Sequence, residues 1–113
     1  MDKILEQTLL YDFYGELLTD HQKSVYEDVV FQDLSLSEVA EQQQISRQGV
    51  HDLVKRCDKA LRGYEAKLGL VKKFEETRRL VEEILRLTER YEATQDVACV
   101  REIEKISRMI VEI

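Results

Sequence analysis

The chain has 113 residues, 43% of them apolar and 35% charged, with four glycines and no proline, where about five or six prolines would be usual. So few turn-forming residues exclude an all-β sandwich or barrel, and exclude a collagen-like or proline-rich chain, leaving mostly helix. The net charge of −6 is uneven: residues 1–34 hold two Lys and eight Asp or Glu, residues 35–68 six Lys or Arg against five acids, and residues 69–113 nine against ten. This argues against indiscriminate nucleic-acid binding but leaves a cluster of cations between Arg47 and Lys67.

A first helix is predicted from Asp2 to Leu18, with an apolar stripe from Ile4 to Leu18 that is wider than one ordinary face. Thr19-Asp20-His21-Gln22 reads as a capping box, opening a second helix from Asp20 to Gln32 with Val25, Tyr26, Val29 and Val30 inward. Ser35-Leu36-Ser37-Glu38 is another such box and opens a short helix with Val39 and Ala40 inward. Ser46 caps a long fourth helix whose apolar residues, Val50, Val54, Cys57, Leu61, Tyr64 and Leu68, step in a heptad rhythm. Gly63 interrupts this helix and Gly69 ends it. The rhythm resumes in a fifth helix at Leu70, Phe74, Thr77, Val81, Ile84, Thr88 and Tyr91. After a polar break capped by Thr94 or Asp96, a sixth helix carries Val100, Ile103, Ile106, Ile110 and Ile113 and forms a hairpin with the fifth.

The predicted fold is therefore all-α, with six helices and no strand. Residues 1–62 form a helix-turn-helix bundle, and residues 63–113 a C-terminal helical extension continuous with helix four. The longest apolar run, Val97-Ala98-Cys99-Val100, is far short of the roughly 20 residues of a membrane span. The start, Met1-Asp2-Lys3-Ile4, has no signal-peptide pattern, so no membrane insertion and a cytoplasmic location are expected.

Helices three and four, at residues 36–56, carry a helix-turn-helix signature. Ala40 is small where the second helix crosses, Ile45 plugs the angle, and Val50 and Leu53 face the bundle. Ser46, Arg47, Gln48, His51, Lys55, Arg56, Lys59 and Arg62 then form the candidate nucleic-acid-binding face, the Arg and Lys pairing phosphates and Arg47 and Gln48 reaching base edges. Asp52 lies among them. Gln44 stands where many such motifs place Gly, so the turn is expected to be reshaped. Gly49 weakens the first turn of the recognition helix and offers no side chain to a base.

The stretch from Asp20 to Lys59 resembles the promoter-reading fourth region of bacterial sigma factors, with Ile45-Ser46-Arg47-Gln48-Gly49-Val50 its most telling piece. The chain as a whole looks like the YlxM family of small helix-turn-helix proteins. Leu10-Tyr11-Asp12-Phe13-Tyr14-Gly15-Glu16-Leu17-Leu18-Thr19 and the segment from Ser46 to Lys59 match that family's pattern, and the resemblance covers about residues 8–75. It implies an all-helical, non-enzymatic regulatory protein of the signal recognition particle pathway, whose partners are the particle's GTPase, its RNA or the receptor. The alternative is a DNA-binding transcriptional regulator. A sigma-like module contacting RNA polymerase is a third reading, by analogy alone.

No cofactor, metal or catalytic centre is expected. There is no Gly-rich phosphate loop and no nucleophile with an evident base. His21 and His51 lack companions at ligand spacing, and the adjacent pairs Glu75-Glu76 and Glu82-Glu83 point to different sides of a helix. Cys57 and Cys99 read as buried free thiols. The apolar hairpin of the last two helices makes a homodimer the expected oligomer.

Overall fold

The computed structural model describes residues 2–113. Among these residues it contains six α-helices and no strand: α1 (Lys3–Tyr14), α2 (Asp20–Tyr26), α3 (Leu36–Gln43), α4 (Arg47–Leu68), α5 (Leu70–Thr94) and α6 (Ala98–Val111). The protein is thus all-α, as its composition implies. It folds as two compact units, the first ending at Gly69 and the second running from Leu70 to Ile113.

The helix starts follow the capping chemistry. Thr19 Oγ1 accepts from the Gln22 amide at 3.1 Å while the Gln22 side chain accepts from the Thr19 amide at 2.9 Å. Ser35 and Glu38 repeat this exchange at 3.0 and 3.2 Å. Ser46 Oγ accepts from the Gly49 amide at 2.9 Å. Each such cap contributes about 1 kcal/mol. In the second unit Asp96 supplies the cap, its carboxylate accepting from the Ala98 amide at 2.9 Å.

Two helix ends differ from expectation. α1 stops at Tyr14 rather than Leu18, and Gly15–Leu17 form a 3₁₀ turn. Gly15 is buried beneath Tyr11, where a Cβ would lie 3.0 Å from the ring, so this close approach needs glycine. α2 stops at Tyr26, and Glu27–Phe31 continue as a π turn in which the Gln32 amide donates to the Glu27 carbonyl at 2.9 Å. The wider turn rotates the following face. Val25 and Tyr26 are fully buried, whereas Val29 and Val30 are only half-buried. Phe31 is carried against the stacked rings of Tyr11 and Tyr26, with centroids 5.3 and 6.0 Å away.

The helix-turn-helix core is Val25, Val39, Ala40 and Val50, with Leu34, Leu36, Leu53 and Val54 packed around it. Ile45 does not plug the interhelical angle; it is 37% exposed, while Val39 and Val50 are fully buried. The turn is not reshaped around Gln44 either. Gln44 adopts the left-handed conformation (φ 56°, ψ 42°) that glycine would supply. Asp33 (φ 57°), Gly69 (φ 63°) and Gln95 (φ 58°) do the same at three other junctions. Gly49 also has a local reason: a Cβ there would sit 3.1 Å from the capping Ser46 oxygen.

Along α4, Val50, Cys57 and Leu61 are fully buried, Val54 and Tyr64 are half-buried, and Leu68 is exposed. In the second unit α5 and α6 pack together as a hairpin. Its buried seam includes Leu80, Cys99 and Ile106, while Val81, expected inside, is exposed. The thiols of Cys57 and Cys99 are free and buried. Among the described residues no helix is long and apolar enough to cross a membrane.

The strained turn gives a direct test. Gln44→Gly is expected to stabilise the protein by about 0.5–1 kcal/mol, and Gln44→Val to destabilise it by about 1–2 kcal/mol. Urea denaturation followed by circular dichroism measures both, and equal midpoints for the two variants would contradict the left-handed assignment.

Candidate nucleic-acid interface

The outer surface of α4 begins with its cap. The Ser46 hydroxyl is engaged with the Gly49 amide, so its role is to start the helix. Arg47 is exposed in the first turn. Gln48, expected to reach a base, donates instead to Asp52 Oδ1 at 2.9 Å. His51 is half-buried, with Nδ1 3.7 Å from the same carboxylate. Asp52 therefore gathers the polar side chains of the first two turns onto itself.

Further along, Lys55, Arg56 and Lys59 are exposed. Among the described residues they form no ion pair, and neither does Arg47. Arg62 differs, its Nε pairing with Glu6 of α1 at 3.2 Å. Arg47, His51, Lys55 and Lys59 recur every four residues, and Arg62 follows three later, so they share one flank of the helix. Arg56, nine residues beyond Arg47, lies opposite it but only three residues before Lys59, at the edge of the stripe. The structure thus brings Arg47, Gln48, His51, Lys55, Lys59 and Arg62 onto one stripe, with Arg56 at its edge and Ser46 off it at the cap.

The stripe is held in place by a polar knot absent from the sequence reading. Asp58 accepts from Gln7 of α1 at 3.1 and 3.3 Å and from the phenol of Tyr26 of α2 at 2.5 Å. Gln7 is 7% exposed and Tyr26 fully buried. One turn of α4 is thereby fixed against both other helices. The only sequence signal was a lone Gln inside the apolar stripe of α1, with Asp58 beside the buried Cys57. Burial, the Asp58 bond and its charge hold the Tyr26 phenol well above the ordinary tyrosine range. Burial, with Asp58 adding to it, pushes the Cys57 thiol up to about 11. Among the described residues no cluster of three or more His, Cys, Asp or Glu is placed to hold a metal.

The chain has relatives along its length. A family model of helix-turn-helix proteins, described as YlxM / p13 like, matches residues 1–103. A UPF0122 protein of Thermoanaerobacter sp. (strain X514) is 43% identical over 113 residues, 99% of this chain and 97% of its own. One from Caldanaerobacter subterraneus subsp. tengcongensis is 52% identical over 83 residues, 74% of this chain and 71% of its own. Another, from Geobacillus kaustophilus (strain HTA426), is 38% identical over 108 residues, 94% of this chain and 98% of its own.

The knot has a pH signature. Cys57 and Tyr26 are acids whose folded pKa is raised, so the fold favours their neutral forms. That stability is fully present below the unfolded thiol value and is lost as pH rises through about 11. The urea midpoint is expected to be level from about pH 7 to 8.5 and to fall between about pH 9 and 11. Cys57→Ala should make this fall shallower. An unchanged midpoint up to pH 11 would show that neither group is buried as described.

Proposed function

The chain belongs to the YlxM / p13-like helix-turn-helix family, and on that basis we propose that it is a non-catalytic regulatory protein of the cytoplasm acting in the signal recognition particle pathway. It binds the particle's GTPase, its RNA or the receptor, and α4 supplies the contact face. The pathway rests on the YlxM resemblance. The contact face is supported by one observation: Arg47, Lys55 and Lys59 lie exposed and without ion pairs on one flank of the second helix of the motif. Phosphates are the natural complement of such a row. Residues 1–62 carry recognition, and residues 63–113 form an extension that continues it and pairs two copies of the chain. Val81, Leu85 and Val100 on the hairpin, all exposed, are the apolar surface this pairing uses.

A DNA-binding transcriptional regulator is the second reading. It is favoured by the left-handed turn at Gln44, which keeps the α3–α4 geometry of the motif, and by Arg47 at the exposed start of α4. It is weakened by the capture of Gln48 by Asp52, which occupies the amide that would read a base.

Binding of the purified protein to the particle's RNA, its GTPase and the receptor, each alone, separates these readings. We expect at least one to bind, with Arg47→Ala and Lys55→Ala each weakening nucleic-acid binding and each lowering its salt slope by about 1. Failure to bind any of the three would end the pathway reading. A sequence-specific shift of upstream DNA fragments would transfer the assignment to transcription. Sedimentation equilibrium is expected to give a dimer that Leu85→Asp converts to monomer.

A further inference from the structure

Three clefts of the first unit share lining residues and adjoin one another along α4, a groove in three parts. The first is bordered by Leu36, Arg47, Gln48 and His51. The second takes up Leu36 and His51 again and adds Lys3, Val30, Val54 and Lys55. The third is lined by Lys3, Lys55, Asp58, Lys59 and Arg62. Together they follow α4 from Arg47 to Arg62, about 22 Å at 1.5 Å per residue.

The two walls come from different helices. One is the stripe of Arg47, His51, Lys55 and Lys59 on α4. The other is built from the first turn of α1, with Lys3, and from the start of α3, with Leu36. The floor is aliphatic, with Val29, Val30 and Val54. Two acids also line the groove and keep their charge: Asp2, which accepts from the Ile4 amide at 3.3 Å, and Asp58, which accepts from Tyr26 and Gln7. Lys3, Lys55 and Lys59 outnumber these acids along the opening, and among the described residues none of them has an ion-pair partner.

We infer that this groove binds a single-stranded polynucleotide by its phosphate backbone, with Lys3 of α1 and Lys55 of α4 closing on the strand from two helices. The inference rests on the reading of α4 as a nucleic-acid contact and deepens it. A helix that reads duplex DNA projects alone into a major groove about 12 Å wide. Here the cationic flank is walled by α1 and α3 instead, which suits one strand lying along the helix. Binding is blind to sequence, because the cations of the groove meet phosphates and Gln48 is held by Asp52.

Fluorescence anisotropy with labelled oligo-U RNA and oligo-dT DNA, and with blunt RNA and DNA duplexes of the same length, tests this on the full chain. Single strands are expected to bind with a salt slope near −3, from about four phosphates at 0.7 each. Duplexes are expected to bind more weakly. Lys3→Ala should lower the slope by about 0.7, Lys3→Arg should restore it, and Arg78→Ala, paired with Glu82 in the second unit, should leave it unchanged. Thermal melts of all variants establish that each is folded. Binding weakened by Arg47→Ala but not by Lys3→Ala would leave the α4 reading standing and overturn the groove. Duplexes bound as tightly as single strands would overturn it too. No binding of any nucleic acid would overturn both.

Discussion

The Asp58 carboxylate joins α1, α2 and α4 at one point, and the position of the cationic stripe depends on it. Of the residues that meet there, Gln7 and Tyr26 are buried. A buried donor left without a partner costs about 1–3 kcal/mol, so the three helices have one arrangement that satisfies all of these groups. The same chemistry recurs. The buried Tyr14 phenol donates to Glu65 at 2.6 Å, one heptad beyond Asp58 on α4, and Tyr11 donates to Glu27. Three tyrosines of the first unit thus each find a carboxylate. Part of the acid in the chain therefore tethers the helices of the first unit through their tyrosines.

A protein of net charge −6 presents a positive flank because Lys3, Arg47, Lys55 and Lys59 outnumber the acids beside them, Asp2, Asp52 and Asp58, which keep their charge while accepting from neutral donors. Cations away from the groove are neutralised locally, Lys23 by Glu16 and Arg78 by Glu82. Arg62, at the end of the stripe, is tied to Glu6 and ties α4 to α1 once more. The local field, not the sum, decides what approaches α4.

Much of this was legible in the sequence, and the limits have physical causes. The caps at Thr19, Ser35 and Ser46 were readable because a cap is a bond between residues three apart. The six helices and the exposed faces of Arg47, Lys55 and Lys59 followed from periodicity. The end of α1 at Tyr14 was hidden because Tyr11 packing over Gly15 sets it. The π turn after Tyr26 answers to the aromatic cluster with Tyr11 and Phe31, which no local propensity encodes. Asp58 and Gln7 are 51 residues apart and meet only in the fold. Lys3 was overlooked for the same reason, since its place on the groove depends on how α1 crosses α4.

Scarcity of glycine did not forbid left-handed turns; it moved them onto Asp33, Gln44 and Gln95. Each costs about 1 kcal/mol more than glycine would. Gln95 offsets this, its amide donating to the carbonyls of Tyr91 and Glu92 at the end of α5. At Gln44 the strain secures something specific, the angle between α3 and α4. The chain thus keeps the geometry of a helix-turn-helix at some cost while Asp52 holds the Gln48 amide away from any base. A shared fold does not carry its reading chemistry with it. What the geometry still does is present Arg47, Lys55 and Lys59 in a fixed row, and a fixed row of cations suits a charged backbone better than a base sequence.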